Sequence, residues 1–200
     1  MGAGDAKLAE NAELQGSREH AGGESRELGW APHDLEAAIV APLQPGAYTA
    51  IVSGESGGGV ALVEVYDLTP TQGRIANIST RGRVSTGDNV MIAGFIVNGP
   101  ESKRLLLRGI GPSLRPTLPS ALGDTTLEMH NANGTLMISN TGWTNSADAG
   151  AEVHFSGLAP TSNAESAILR EVVPGNFTVI LKSPSNASGI GLVEVYDVAP

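Results

Sequence analysis

The chain repeats its own second half. Residues 45–70, PGAYTAIVSGESGGGVALVEVYDLTP, return as residues 174–200, PGNFTVILKSPSNASGIGLVEVYDVAP, and LVEVYD is identical at 62–67 and 192–197. The match runs upstream. Glu36-Ala37-Ala38-Ile39 aligns with Glu165-Ser166-Ala167-Ile168, and Ala31-Pro32 aligns with Ala159-Pro160. The offset drifts from 128 to 130, which places small insertions in loops. A period of about 130 residues is a domain rather than one turn of a solenoid, whose repeats run roughly 20–50 residues. Residues 71–200 therefore read as one whole copy. Residues 31–70 match only its second half. The first half, RIANISTRGRVSTGDNVMIAGFIVNGPESKRLLLRGIGPSL, occurs once. The expected organisation is an acidic N-terminal arm at 1–30, a partial unit at 31–70 and a complete unit at 71–200.

Local pattern makes these units β. NVMIAGFIV (89–97) is an apolar, β-branched run and predicts a buried strand; KRLLLRGI (103–110) is another, closed by Gly111-Pro112. Residues 126–130 and 135–140 flank Asn131-Ala132-Asn133-Gly134, a hairpin turn in which Asn and Gly tolerate positive φ. NFTVILK (176–182) and GLVEVYDV (191–198) form the last pair, entered through Pro174-Gly175. In the partial unit, 47–52 and 60–68 are expected to do the same. Eight or more short strands at regular spacing predict an all-β chain, an antiparallel β-sandwich. The one helical candidate is the alanine-rich start near residues 5–14, which reads equally as a flexible arm.

Composition narrows the function. The formal charge is −9, which argues against a nucleic-acid partner. There is no cysteine, so thiol catalysis, disulfides and Cys-ligated metals are excluded. No run approaches the roughly 18 apolar residues of a membrane span. The start lacks an apolar signal-peptide core, so an export signal is expected to lie outside this chain or to have been removed. Charge is uneven. Residues 71–120 hold Arg74, Arg81, Arg83, Lys103, Arg104, Arg108 and Arg115 against Asp88 and Glu101. Either these pair with carboxylates of the same fold, or they form a basic face for an acidic neighbour.

Candidate chemistry is sparse. Gly54-Glu55-Ser56-Gly57-Gly58 fits G-x-S-x-G, but a nucleophile elbow joins a strand to a helix, and here the following VALVEVYDL has β character. The equivalent place in the second copy, SPSNASG (183–189), lacks the pattern. His20, His33, His130 and His154 have no motif around them that would supply the base a serine needs. Asp88, Asp124 and Asp148 are loop aspartates of the type that bind hard cations, but they are scattered. Tyr48/Phe177 and Tyr66/Tyr196 are repeat-equivalent and suit packing. That leaves Trp30 and Trp143 as stacking platforms for a carbohydrate. The sequence nominates no catalytic, cofactor-binding or metal-ligating residue, and the chain reads as a non-enzyme.

TLEMHNANGTLMISNTGW (126–143), followed after a spacer by PGNFTVILKSPSNASGIGLVEVYD (174–197), resembles the bacterial pre-peptidase C-terminal domain. That resemblance implies a jelly-roll β-sandwich of the kind appended to secreted hydrolases. The longer pattern, ANISTRGRVSTGDNVMIAGFIV with LLLRGIGPSL and LVEVYD, looks like tandem modules of large secreted or surface proteins of environmental bacteria. Modules of the first family often carry Asn-Asp-Asp at a turn that here reads Asn140-Thr141-Gly142-Trp143, so no calcium ligands carry over.

A half-sandwich exposes apolar faces and unpaired edge groups. The partial unit is therefore expected to belong to a longer tandem protein, to extend the complete unit, or to pair with another molecule by strand addition. The functional expectation is a structural or adhesive protein outside the bacterial cell, built by strand completion with other copies of itself into a fibre. The alternative is a surface- or glycan-binding accessory module of a secreted hydrolase.

Overall fold

The computed structural model describes residues 36–55, 57–68, 75–145, 150, 152–154 and 156–198. The proposed N-terminal helix or arm lies outside them. The chain divides into two compact units, Met1–Val65 and Tyr66–Pro200.

The second unit contains eight strands: β1 (Asn77–Val84), β2 (Met91–Val97), β3 (Lys103–Ile110), β4 (Thr126–Asn131), β5 (Leu136–Thr141), β6 (Ser166–Val172), β7 (Gly175–Lys182) and β8 (Gly189–Asp197). They form two antiparallel four-stranded sheets, ordered β1-β8-β3-β6 and β2-β7-β4-β5. Apart from the β4–β5 hairpin, successive strands fall in opposite sheets, and each sheet interleaves early and late strands. This is jelly-roll connectivity in a β-sandwich; the sandwich is what the strand pattern predicts, and the jelly roll is what the family resemblance implies.

Period-two alternation decides which side chains meet between the sheets. On β7, Phe177, Val179 and Leu181 point inward and Thr178, Ile180 and Lys182 outward. Leu105 and Leu107 of β3, Leu127 and Met129 of β4, and Val193 and Val195 of β8 complete the same core. The Phe95 and Phe177 rings stack with centroids 5.4 Å apart. At Gly109 the two sheets approach too closely for any side chain. A Cβ there would stand 2.6 Å from Ser166 Oγ and 2.8 Å from Leu181 Cδ1. The β4–β5 turn works as expected: Gly134 takes φ 75°, and Asn131 Oδ1 accepts the N–H groups of Asn133 and Thr135, both at 3.0 Å.

Two strand expectations change. Residues 91–97 do form a strand, but β2 is a sheet edge, not a strand buried on both faces. Met91 and Val97 are buried, while Ile92 and Ile96 are each 60% exposed. An apolar run fixes strand type, yet only the packing of other elements decides whether its outer face is covered. Conversely β1 and β6, which the apolar pattern does not single out, are the two edges of the first sheet. β1 is polar along most of its length and buries only Val84 fully, as edge strands do.

The first unit contradicts the expected strands at 47–52 and 60–68. Among its described residues no strand forms, and Ile39, Tyr48, Val52, Val63 and Val65 are about half exposed. The ladders of the complete unit supply the physical reason. β6 pairs only with β3, β7 with β2 and β4, and β8 with β1 and β3. No strand of the second half bonds another strand of that half. The sequence at 36–68 carries β propensity, but the strands with which its counterparts pair in the complete unit all belong to that unit's first half.

Burial sets the expected energetics. Leu181→Ala should cost about 2–5 kcal/mol through the cavity it leaves, and Gly109→Ala about 1–3 kcal/mol through overpacking. Ile92→Ala should lie within about 0.5 kcal/mol of the parent, as exposed substitutions do. Urea denaturation of the three variants checks the order.

Candidate functional site

A polar cluster lies on the outer face of the first sheet, where β3 and β8 pair Arg108 directly with Glu194. Alternation that sends Leu107 and Val195 inward sends Arg108, Glu194 and Tyr196 outward. They do not reach open water. Leu106, Val153 and Ala167 form a second small core on this face, with Trp143, Leu158, Ala159 and Tyr196 packed against it. Described residues between Trp143 and Pro160 thus roof the sheet here.

Arg108 is held on every side. Its Nε donates to Glu194 Oε2 at 2.8 Å, one terminal nitrogen donates to the Leu158 carbonyl at 2.7 Å, and the other reaches Glu194 Oε2 at 2.5 Å and the Tyr196 hydroxyl at 3.1 Å. Its guanidinium carbon also lies 5.0 Å from the Tyr196 ring centroid, within cation–π range. Tyr196 donates to Glu194 Oε1 at 2.9 Å. Burial, and then the Glu194 carboxylate, push the Tyr196 phenol above its ordinary value of 10.0.

Beside it, Glu165 is fully buried and receives the Gly111–Ser113 turn. Gly111 N–H donates at 3.0 Å, Ser113 N–H at 2.9 Å, and the Ser113 hydroxyl contacts both carboxylate oxygens at 2.5 Å. Thr161 Oγ1 donates to Ser113 Oγ at 3.0 Å. A serine, two carboxylates and an arginine thus line or adjoin one cleft of about 170 Å³. That is below the roughly 300–1,000 Å³ of ordinary ligand pockets. Both carboxylates and the guanidinium are occupied with each other and with the backbone, an arrangement that locks elements together.

The basic residues of 71–120 mostly serve the fold itself. Besides Arg108, Lys103 stands 3.9 Å from Asp197 and Arg104 3.3 Å from Glu152. Arg115 donates to the Ala121 carbonyl at 3.2 Å. Arg81 and Arg83 lie exposed on edge strand β1, and Arg74 lies outside the described residues.

Other singled-out residues do not converge. Ser56, Trp30, His20, His33 and Asp148 lie outside the described residues, and His154 is exposed. Trp143 is no open platform: its ring belongs to the second core and Nε1 donates to the Ser162 carbonyl at 3.1 Å. Asp124 accepts from Ser183 at 2.5 Å and Ser185 at 3.1 Å, while Asp88 sits exposed in the β1–β2 turn. His130 Nδ1 lies 3.1 Å from the Gly134 carbonyl, and its Nε2 lies 3.5 Å from Glu128. Glu128 also takes the Lys182 ammonium, which is the main reason its carboxyl lies below the ordinary value of 4.5. Among the described residues no group of three or more His, Asp or Glu could hold a metal, and no helix is long and apolar enough to cross a membrane. Sequence reasoning missed Glu165 and Glu194 as partners. The signal was present, because both recur in the repeat as Glu36 and Glu64.

No family model matches the chain, and no curated protein matches it. Among solved structures, the chain is similar to the pre-peptidase C-terminal domain of a collagenase from Bacillus anthracis. The two are 13% identical, the match covers 60% of this chain and 88% of that one, and the TM-score is 0.38.

Removing the guanidinium leaves Glu194 buried and unpaired, so Arg108→Met should destabilise by about 3 kcal/mol, measured by denaturant titration. The phenol shift implies a pH effect. Tyr196 ionises more readily unfolded than folded, so its contribution is full below pH 10.0 and is lost as pH rises through its folded value. Alkaline destabilisation should therefore weaken in Tyr196→Phe. Glu128 has the opposite sign: its contribution is present above 4.5 and lost as pH falls through its lowered folded value. In Lys182→Met the Glu128 titration followed by NMR should move up.

Proposed function

We propose that this chain is a non-enzymatic structural or adhesive protein of the bacterial exterior, joined to further modules of its own repeat type by strand completion into a fibre or larger surface assembly. One observation carries the reading: the sequence holds two second halves and one first half. In a jelly roll whose late strands bond only early ones, a second half without a first is an unsatisfied surface. The segment at 36–68 carries half-exposed apolar side chains, Val63 and Val65 among them. Contacts of this head-to-tail kind extend when they do not close. The polar cluster around Arg108 supports the same reading, because its groups bind the sheet to its cover and are taken up with one another rather than poised as a nucleophile and base.

Light scattering and negative-stain images of the purified chain test this. Particle size should grow with protein concentration, and Val63→Asp, which puts a charge on the exposed apolar segment, should reduce that growth. A monomer at every concentration removes the assembly reading. Thermal stabilisation by a soluble glycan, without association, would instead favour an accessory binding module. Labelling of Ser56 by a serine-reactive phosphonate would favour an enzyme.

A further inference from the structure

Each sheet of the complete unit has two edges, and three of the four are blunted. β1 carries Arg81 and Arg83 at exposed positions, and β6 carries Arg170 and Glu171. The β4–β5 ladder is interrupted by a register shift between Met129 and His130. Charges and bulges of this kind keep a sheet edge from pairing with another chain. β2, MIAGFIV, has neither. It holds no charge and no proline, it runs in unbroken register along β7, and among the described residues β7 is the one strand it bonds. Its outer face is apolar as well. Ile92 and Ile96 are each 60% exposed, and Ile92 lies beside Ile180 across the β2–β7 ladder.

The strand is also its own complement. Two antiparallel copies related by a twofold axis normal to the sheet pair residues of like parity, so outward side chains meet outward ones. One such register overlaps all seven residues of β2, the one that sets Gly94 opposite the partner's Gly94. Ile92 then stands opposite the partner's Ile96, and Ile96 opposite the partner's Ile92, two β-branched pairs of the kind that stabilise a ladder. On the inner face Phe95 stands opposite the partner's Ala93, a large side chain against a small one. The neighbouring registers shorten the overlap and set an isoleucine against glycine. The other sheet does not stand in the way. A Cβ at Gly82 would lie 3.2 Å from Met91 Cε, so Gly82 faces β2, and alternation turns Arg81 and Arg83 to the far side.

We infer that β2 is an isologous dimer edge, through which two copies of this chain join their four-stranded β2-β7-β4-β5 sheets into one continuous sheet. Seven residues a side is few against the roughly 20–30 of a standard interface, so the dimer dissociates on dilution. The contact closes on itself and does not depend on the head-to-tail assembly proposed above.

Cysteine cross-linking of the full chain tests this. The chain has no cysteine, so an introduced thiol reports alone. A Cβ at Gly94 would meet the Phe177 carbonyl oxygen at 3.8 Å, an ordinary contact, so Gly94→Cys fits. Under mild oxidation Gly94→Cys should form a disulfide-linked dimer at least about tenfold faster than Ser139→Cys on edge strand β5, because directly opposite residues have the required approach. Ile92→Cys and Ile96→Cys should each fail alone, since each lies about 13 Å along the ladder from its own copy, and should cross-link when mixed. Ile96→Lys should raise the dimer dissociation constant in sedimentation velocity at least about tenfold, as a charge on an edge does, with the circular dichroism spectrum unchanged. Cross-linking of Gly94→Cys at the Ser139→Cys rate overturns the inference, and so does self-linking of Ile92→Cys, which would require another register. A Gly94→Cys thiol shielded from maleimide in dilute protein overturns it too, because the chain itself would then cover the edge. In the Val63→Asp background the cross-link should persist, which separates this contact from the assembly that light scattering reports.

Discussion

Strand β8 is hydrogen-bonded on one side to β1 and on the other to β3, and the unit depends on that double pairing. It brings the last segment of the chain between two of its earliest strands. Its alternation then divides the work. Val193 and Val195 fill the space between the sheets, while Glu194 and Tyr196 take the Arg108 guanidinium on the outer face. Register couples the two faces, because a slip of one residue would turn the valines out and the carboxylate in. The charge pair is thus tied to the same ladder that places the core.

Antiparallel interleaving also explains why the two halves depend on each other. In a meander, consecutive strands are neighbours and a fragment retains its own ladders. In this topology the neighbours of β6, β7 and β8 all belong to the first half of the unit. The polar clusters follow the same logic. Glu165 closes over the Gly111–Ser113 turn, and Arg108 reaches Glu194, so even the side-chain bonds cross from one half to the other. In the complete unit each half thus holds the backbone and side-chain groups of the other.

The cleft beside Ser113 gathers side chains that hold the fold together. Serine, glutamate, arginine and tyrosine within hydrogen-bond reach resemble the parts of a catalytic site. Their bonds are directed at backbone groups and at one another, and Glu165 is buried beneath the turn it holds. A carboxylate so occupied is a clamp. The G-x-S-x-G stretch at 54–58 is a similar case. Its sequence context already differs from a nucleophile elbow, because a β-type run follows it.

The sequence by itself determined the strand type of six segments, the Asn131–Gly134 hairpin, the repeat and the antiparallel β-sandwich class. These depend on side-chain alternation, turn chemistry and self-similarity, all of which are local or directly countable. Only the tertiary structure decided which strands are edges. Ile92 on β2 and Leu106 on β3 each sit within an apolar run, and pattern cannot tell them apart. Yet Ile92 is exposed, while Leu106 is buried under the cover that Trp143, Val153 and Leu158 provide. Only the tertiary structure decided that Arg108 meets Glu194, across 86 residues of chain, and that the strands expected at 47–52 and 60–68 do not form. Propensity acts within a segment, whereas a ladder and a buried ion pair each need a partner that the fold must bring from far away in sequence.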